Sequence, residues 1–351
     1  MAGKKYALTR KDWNNFLKEK VLQQRLIAPV FSAEQLHYQV LTPESIEQAV
    51  LGVIRPVQPL KFFFFPFQEE VLPESSACAQ VIMGATACDL AGLRVLDAVF
   101  GQGDFKDPNY LRRREMSLVI SSDCSQPLDV CFCESVGLHP FPQESYDLNL
   151  TVLDQLLLLE VGTDKGENFL KEARGLREAT EEELAARERL RQNTQEKVRQ
   201  INKKFNLPEK IPQDISSRLS VQEWNQVWQS CVQCGSCTHS CPSCVCFFLE
   251  DLTEKDNFRK KRTWDSCLFP GYARMASGVS PRPHLLERFR NRYACKYTYM
   301  VQNFNLVGCT GCGRCIQGCA GKIDKRKVLS KIIALKSGDV LYEPAQHLPA
   351  T

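Results

Sequence analysis

The chain has 351 residues, 25% of them charged, and a formal net charge of +4. That length accommodates about two domains, and that charge is too small to argue for a nucleic-acid partner. No run is apolar for long enough to cross a bilayer, since Phe62–Phe65 and Leu156–Leu159 are short and flanked by charges. The unusual feature is cysteine, 17 residues in all. Met1–Arg10 carries charges and no apolar signal core, so a cytoplasmic, reducing setting is expected, with ligation explaining the thiols better than disulfides.

In chain order, residues 1–165 read as a mixed α/β domain. Trp13, Phe16, Leu17, Val21 and Leu22 recur at helical spacing and predict a helix over Asp12–Leu26. Strands are expected at Gln80–Met83, Leu118–Ile120 and Leu148–Val152, and a helix over Asp89–Val99. Cys88 then stands where a strand enters a helix, a common place for a ligand. A turn-rich loop follows from Asp123-Cys124 to Cys131-Phe132-Cys133. Cys88, Cys124, Cys131 and Cys133 together supply enough thiolates for a metal cluster; the plain alternative is four small buried hydrophobes. Cys78 stands outside this group.

Over 166–214 the composition shifts to charge. Thr180 followed by Glu183 is a capping-box pattern, and Glu183 with Arg187 stands at the spacing of a helical ion pair. Apolar residues are sparse between Leu184 and Val198, which predicts a solvated helical connector ending at Pro208.

Residues 215–335 read as a mainly helical, ferredoxin-type 4Fe-4S domain, with 336–351 as a tail. Trp224, Val227 and Trp228 share a helical face, and His284–Tyr293 also has helical spacing. Between these elements stand two matched C-x2-C-x2-C-x3-C runs, Cys231-Cys234-Cys237-Cys241 and Cys309-Cys312-Cys315-Cys319. In that spacing three thiolates wrap one cubic cluster and the fourth reaches to the other. Cys231, Cys234, Cys237 and Cys319 are therefore assigned to a first cluster, and Cys309, Cys312, Cys315 and Cys241 to a second. Gly235, Gly311 and Gly313 permit the tight loops. Zinc, which favours separated cysteine pairs, is the weaker reading. Ala320 stands where the first run has Pro242.

The long interval between the runs holds Cys244, Cys246, Cys267 and Cys295, the makings of a further metal group. It also holds Arg259, Lys260, Lys261, Arg262, Arg282, Arg288, Arg290, Arg292 and Lys296, cations expected to favour a reduced cluster and to steer an acidic partner. His37, His139, His239, His284 and His347 show no metal-binding spacing and are read as surface or satisfied histidines. Neither a dinucleotide fingerprint nor a P-loop is present.

The chain resembles the iron-sulfur beta subunits of cytoplasmic sulfhydrogenases and the similar iron-sulfur subunit of anaerobic sulfite reductase. The resemblance rests on Lys61-Phe-Phe-Phe-Phe-Pro66-Phe-Gln68-Glu69, Gly84-Ala-Thr-Ala-Cys88-Asp89-Leu90, Arg94-Val-Leu-Asp97 and Asp123-Cys124 through Cys133. It continues in Cys241-Pro-Ser-Cys244-Val-Cys246-Phe247, Arg262-Thr-Trp264-Asp265-Ser266-Cys267 and Gly311-Cys312-Gly313-Arg314-Cys315-Ile316. Cys295-Lys296-Tyr297 departs from the family, where His-Lys-Phe is expected. The resemblance implies that the two additional cysteine groups are ligands. It also implies an electron-transfer role between a terminal oxidoreductase module and a flavin-containing, NAD(P)H-reactive subunit. The terminal module would be a hydrogenase, a sulfite reductase or a heterodisulfide-reductase-like complex. Direct reduction of a sulfur compound at an exchangeable cluster site, and a redox-sensing role, stand as alternatives.

Overall fold

The computed structural model describes residues 3–72, 77–208, 211, 215, 227–254 and 257–334. The first half contains β1 (Lys5–Thr9), α1 (Arg10–Lys20), β2 (Arg25–Ser32), β3 (Gln35–Val40), β4 (Gln68–Leu72), β5 (Gln80–Ala85) and α2 (Ala87–Gly101). It continues through α3 (Pro108–Met116), β6 (Ser117–Ser122), β7 (Leu148–Leu153), β8 (Leu156–Val161), α4 (Asp164–Leu170), β9 (Arg177–Glu178) and α5 (Glu181–Asn202).

Eight of these strands form one mixed sheet in the order β3-β2-β5-β6-β7-β8-β1-β9. Its centre, β2-β5-β6-β7, is parallel, and antiparallel strands extend it on both sides. Parallel strands are covered on both faces, and the side chains alternate accordingly. Leu26, Val81, Met83 and Ile120 pack with Trp13, Phe16 and Phe169 on one face, and Ile27, Ile82 and Val119 pack with Leu93 and Leu96 of α2 on the other. A register break between Met83 and Ala85 lets Gly84 take φ +75°, with the Pro29 ring 2.7 Å from where its Cβ would stand. The three expected strands and the α2 helix are thus present.

The first helix is shorter than its spacing predicts. Thr9 Oγ1 accepts from Asp12 N at 3.1 Å, capping α1, and the helix ends at Lys20. Leu22 is 77% exposed and Leu26 is a buried residue of β2, because Leu26–Val30 has both faces of the sheet to fill. The Leu156–Leu159 run lies in β8, a strand beyond the three expected.

The charged segment packs on this sheet. β9 pairs with β1, and α5 begins with the expected Thr180–Glu183 capping box. Glu183 does not pair with Arg187, however; it takes Arg177, while Arg187 reaches Glu160 at 3.0 Å. Arg187, Arg191, Thr194, Val198 and Asn202 are buried along one side, so only the other side of α5 faces water as expected.

The second half contains α6 (Ser236–His239), β10 (Phe247–Glu254), β11 (Asn257–Trp264) and α7 (Leu285–Ala294). A wide π-type turn at Cys295–Tyr299, α8 (Met300–Phe304), α9 (Arg314–Gln317) and α10 (Lys325–Ala334) complete it. Val227 and Trp228 are helical and pack against the local core, whereas Trp224, His347 and the 336–351 tail lie outside the described residues. The long interval adds to the expected helices a β-hairpin, β10-β11, joined by β4 from the first half. That pairing engages the basic run: Arg259 pairs with Glu70, Lys260 with Asp251, and Arg262 with Glu69 and Asp107. The charges expected to steer a partner are at these positions internal ties.

Candidate metal centre

The four cysteines assigned to the first cluster come together. Cys231, Cys234, Cys237 and Cys319 line one recess of ≈ 460 Å³ with Cys315, Arg292 and Lys325. Gly235 at φ +72° and Gly313 at φ +71° precede α6 and α9 in the same left-handed conformation, which turns each cysteine loop inward. Arg292 donates to Cys237 O at 3.1 Å, while its buried Nε has no hydrogen-bond partner.

The cysteines of the second assignment lie deeper. Cys309 and Cys312 are buried, and burial pushes the Cys315 thiol up to about 11. Lys325 donates to Cys309 Sγ at 3.7 Å, and the Tyr297 hydroxyl is buried beside the same thiol. Pro242, which follows Cys241, fills the space a Cβ on Gly92 of α2 would take, 2.5 Å from it. This proline seats the first motif on the α/β domain.

Cys88, Cys124, Cys131 and Cys133 also converge, lining a recess of ≈ 430 Å³ with Arg55, His139 and Cys312. Cys88 lies in the first turn of α2, after β5, and Cys124 follows the neighbouring parallel strand β6. The carboxyl ends of the two strands therefore deliver both thiols to one place. Asp123, beside Cys124, is buried and held by Asn149 Nδ2 at 2.9 Å, Thr151 Oγ1 at 2.7 Å and Arg191 Nε at 2.8 Å. Burial drives the thiols of Cys88 and Cys133 well above the ordinary cysteine range and Cys124 to about 12. Burial thus disfavours the thiolate at this group, and any metal bound here would have to displace those protons.

In the fourth group, Cys246 is held down to about 6 by a hydrogen bond from Cys267, and Tyr272 also hydrogen-bonds Cys246. Cys244 faces the same thiols and is hydrogen-bonded to Cys241. Cys295 opens the π-type turn and stands near Cys246 and Cys241. Cys78 is exposed and apart from all four groups.

Buried cations face these sulfurs. Lys61 Nζ donates to Cys244 O at 3.1 Å and lies 3.8 Å from the centre of the Trp264 ring; burial lowers its pKa to about 8 against the pull of Cys244 and Cys241. Lys296 Nζ donates to Ser243 O at 3.1 Å and Ser243 Oγ at 2.9 Å. Burial disfavours its charge, but Cys241, Cys244 and Cys295 outweigh that and raise its pKa. Arg55 donates to Cys312 O and to Gln317 Oε1, and Arg314 grips Asp89 at 2.8 Å through two nitrogens. Arg55 and Lys325 carried no sequence signal, and Lys61 and Arg314 stood in quoted motifs without a role. His139 is satisfied by Glu134 and Gln195, whereas the buried His239 Nε2 has no partner, against expectation.

The donor set fits an anionic cluster: soft thiols around recesses, with buried cations such as Lys61, Lys296 and Arg292 that donate to neutral oxygens. Among the described residues, no three His, Cys, Asp or Glu side chains close on a single ion. Also among the described residues, no helix is long and apolar enough to cross a membrane.

A family model described as a 4Fe-4S dicluster domain matches residues 230–323, and such a domain holds two 4Fe-4S clusters. Over 299 residues the chain is 31% identical to the sulfhydrogenase 2 subunit beta of Pyrococcus furiosus, an alignment covering 82% of this chain and 86% of that protein. By this likeness the chain belongs to the sulfhydrogenase beta-subunit family, iron-sulfur electron-transfer proteins with a 4Fe-4S dicluster domain.

Proposed function

We propose that this chain is the electron relay of a multi-subunit anaerobic oxidoreductase. It works between a terminal module, of the hydrogenase, sulfite reductase or heterodisulfide-reductase-like kind, and a flavin-containing, NAD(P)H-reactive subunit. Two clusters are held by the ferredoxin motifs, with the pairing Cys231, Cys234, Cys237, Cys319 and Cys309, Cys312, Cys315, Cys241. A third is held by Cys88, Cys124, Cys131 and Cys133, and a fourth by Cys244, Cys246, Cys267 and Cys295. The domain division is 1–165, 166–214, 215–335 and the 336–351 tail.

The observation that carries this reading is the convergence of Cys231, Cys234, Cys237 and Cys319 on one recess, and of Cys88, Cys124, Cys131 and Cys133 on another, beside buried cations. A bound 4Fe-4S cluster takes up and returns one electron, so a hydride donor is matched to single-electron steps. The chain's own residues do the rest. The thiols hold the iron, Lys61, Lys296, Arg292 and Lys325 offset its negative charge, and aromatic packing around Trp264 limits water. Iron and acid-labile sulfide on anaerobically purified protein test the reading. About sixteen iron atoms per chain, the content of four such clusters, is the expected result. About eight would confine the cofactors to the two ferredoxin motifs, and turnover of NADH by the pure chain would refute the relay role.

A further inference from the structure

Three of the four cysteines of the second ferredoxin site each stand beside a different neighbouring group. On one side is Cys312, which lines the recess of the Cys88 group. There the two backbones touch: Phe132 N donates to Gly311 O at 2.8 Å, and a Cβ on Gly311 would lie 2.5 Å from Cys133 Cα. The Cys131 thiol points at Cys312 O at 4.0 Å. On a second side is Cys315, in the recess of Cys231, Cys234, Cys237 and Cys319. On a third is Cys241, whose carbonyl accepts from Cys244 N at 3.5 Å. Ser243 Oγ, beside Cys244, donates to Gly308 O, beside Cys309, so the group of Cys244, Cys246 and Cys267 adjoins the site here. Cys309 is enclosed by Tyr297 and Lys325.

Resting on the four-cluster reading above, we infer that the second ferredoxin site is a branch point. The Cys88 arm meets it at Cys312, and two separate arms leave it at Cys315 and Cys241. The relay is then forked rather than linear. The branching has a consequence for electron counting. With clusters bound at all four groups, an electron held at the junction would leave by one arm, reducing that arm as the junction is reoxidised, with no bond made or broken. Two electrons reaching the junction in turn would then be able to part between two arms. One exit surfaces at Cys234, beside Val232, which is 63% exposed; the other lies at Cys246, beneath Tyr272. The chain thereby presents two distinct places for one-electron partners to dock.

A fork and a line differ in what the loss of an outer site does. Cys234→Ala removes a ligand of the first group and Cys246→Ala one of the fourth. Iron content and circular dichroism would establish that each variant folds and has lost one cluster. With dithionite as reductant, the readout is spin-spin broadening of the surviving outer cluster's EPR signal. The fork requires that signal to stay broadened by the second site in both variants. In either linear order the terminal cluster loses its neighbour in one variant, and an uncoupled outer signal in either variant overturns the inference. A redox titration of the unaltered protein serves where a variant does not fold. Second-site broadening that grows in three separate steps, as the Cys88 group and each outer group are reduced, supports the fork, and two steps or fewer overturn it. About eight iron atoms in the unaltered protein would sink the four-cluster reading and the fork with it. About sixteen with linear coupling would sink the fork alone.

Discussion

Lys296 shows how much a single buried charge contributes at such a site. It is 1% exposed, and its ammonium lies among Cys241, Cys244 and Cys295 and donates to Ser243. A fixed cation beside a cluster favours the added electron. Lys296→Met should lower the potential of the adjacent cluster by about 60 mV, a tenfold change in the one-electron equilibrium, read by EPR-monitored redox titration. Gly311 is constrained in a different way. Its φ of +64° and the 2.5 Å approach to Cys133 leave no room for a side chain. Gly311→Ala should cost about 2 kcal/mol or more, seen as a fall in melting temperature together with lower iron content at the Cys88 group. The cysteines and glycines of the two ferredoxin motifs were legible because cluster geometry imposes a fixed local spacing. Arg55 was not, since it reaches Cys312 from a distant part of the chain, and neither was Lys325, which follows the second motif at no fixed ligand spacing.

At the scale of elements, α5 reads correctly at its start and incorrectly along its side. The capping box depends on residues three apart, so Thr180 and Glu183 announce it locally. Thr180→Ala should cost about 1 kcal/mol, measured as a small drop in melting temperature with cluster content unchanged. The buried stripe from Arg187 to Asn202 is polar, and composition therefore read as solvent exposure. Its charges instead meet Glu160 and Asp123 on the sheet. The α1 overrun has a related cause: Val21 and Leu22 continue the helical period, but the chain must turn at Lys20 to enter β2. The β10-β11 hairpin was missed because its strands are rich in charge, and the partners of those charges lie on β4 and α3 or across the hairpin itself.

For the whole molecule, the critical join is between the α/β sheet and the cluster region. Arg314, within the second ferredoxin motif, is 2% exposed at its side chain and pairs with Asp89, which is 0% exposed at its own. It also donates to Pro56 O and Gln58 O, so one side chain ties α9, α2 and the segment before the Phe62–Phe65 run. Asp89→Ala leaves a buried guanidinium without its carboxylate and should cost about 3–5 kcal/mol, measured by calorimetric unfolding. Asp89→Ala combined with Arg314→Met should cost less than the Asp89 change alone, because no unpaired charge then remains buried.

Sequence alone specifies the two four-cysteine motifs, their cluster class, three of the four strands of the parallel centre and the helix that follows Cys88. These features are local, since ligand spacing, apolar alternation and capping act over a few residues. Packing decides which groups adjoin. Strand order delivers Cys88 and Cys124 to one end of the sheet, and Gly311 lets that group touch the second motif. Contact between groups separated by a hundred residues or more depends on how whole elements pack, which no spacing in the chain encodes.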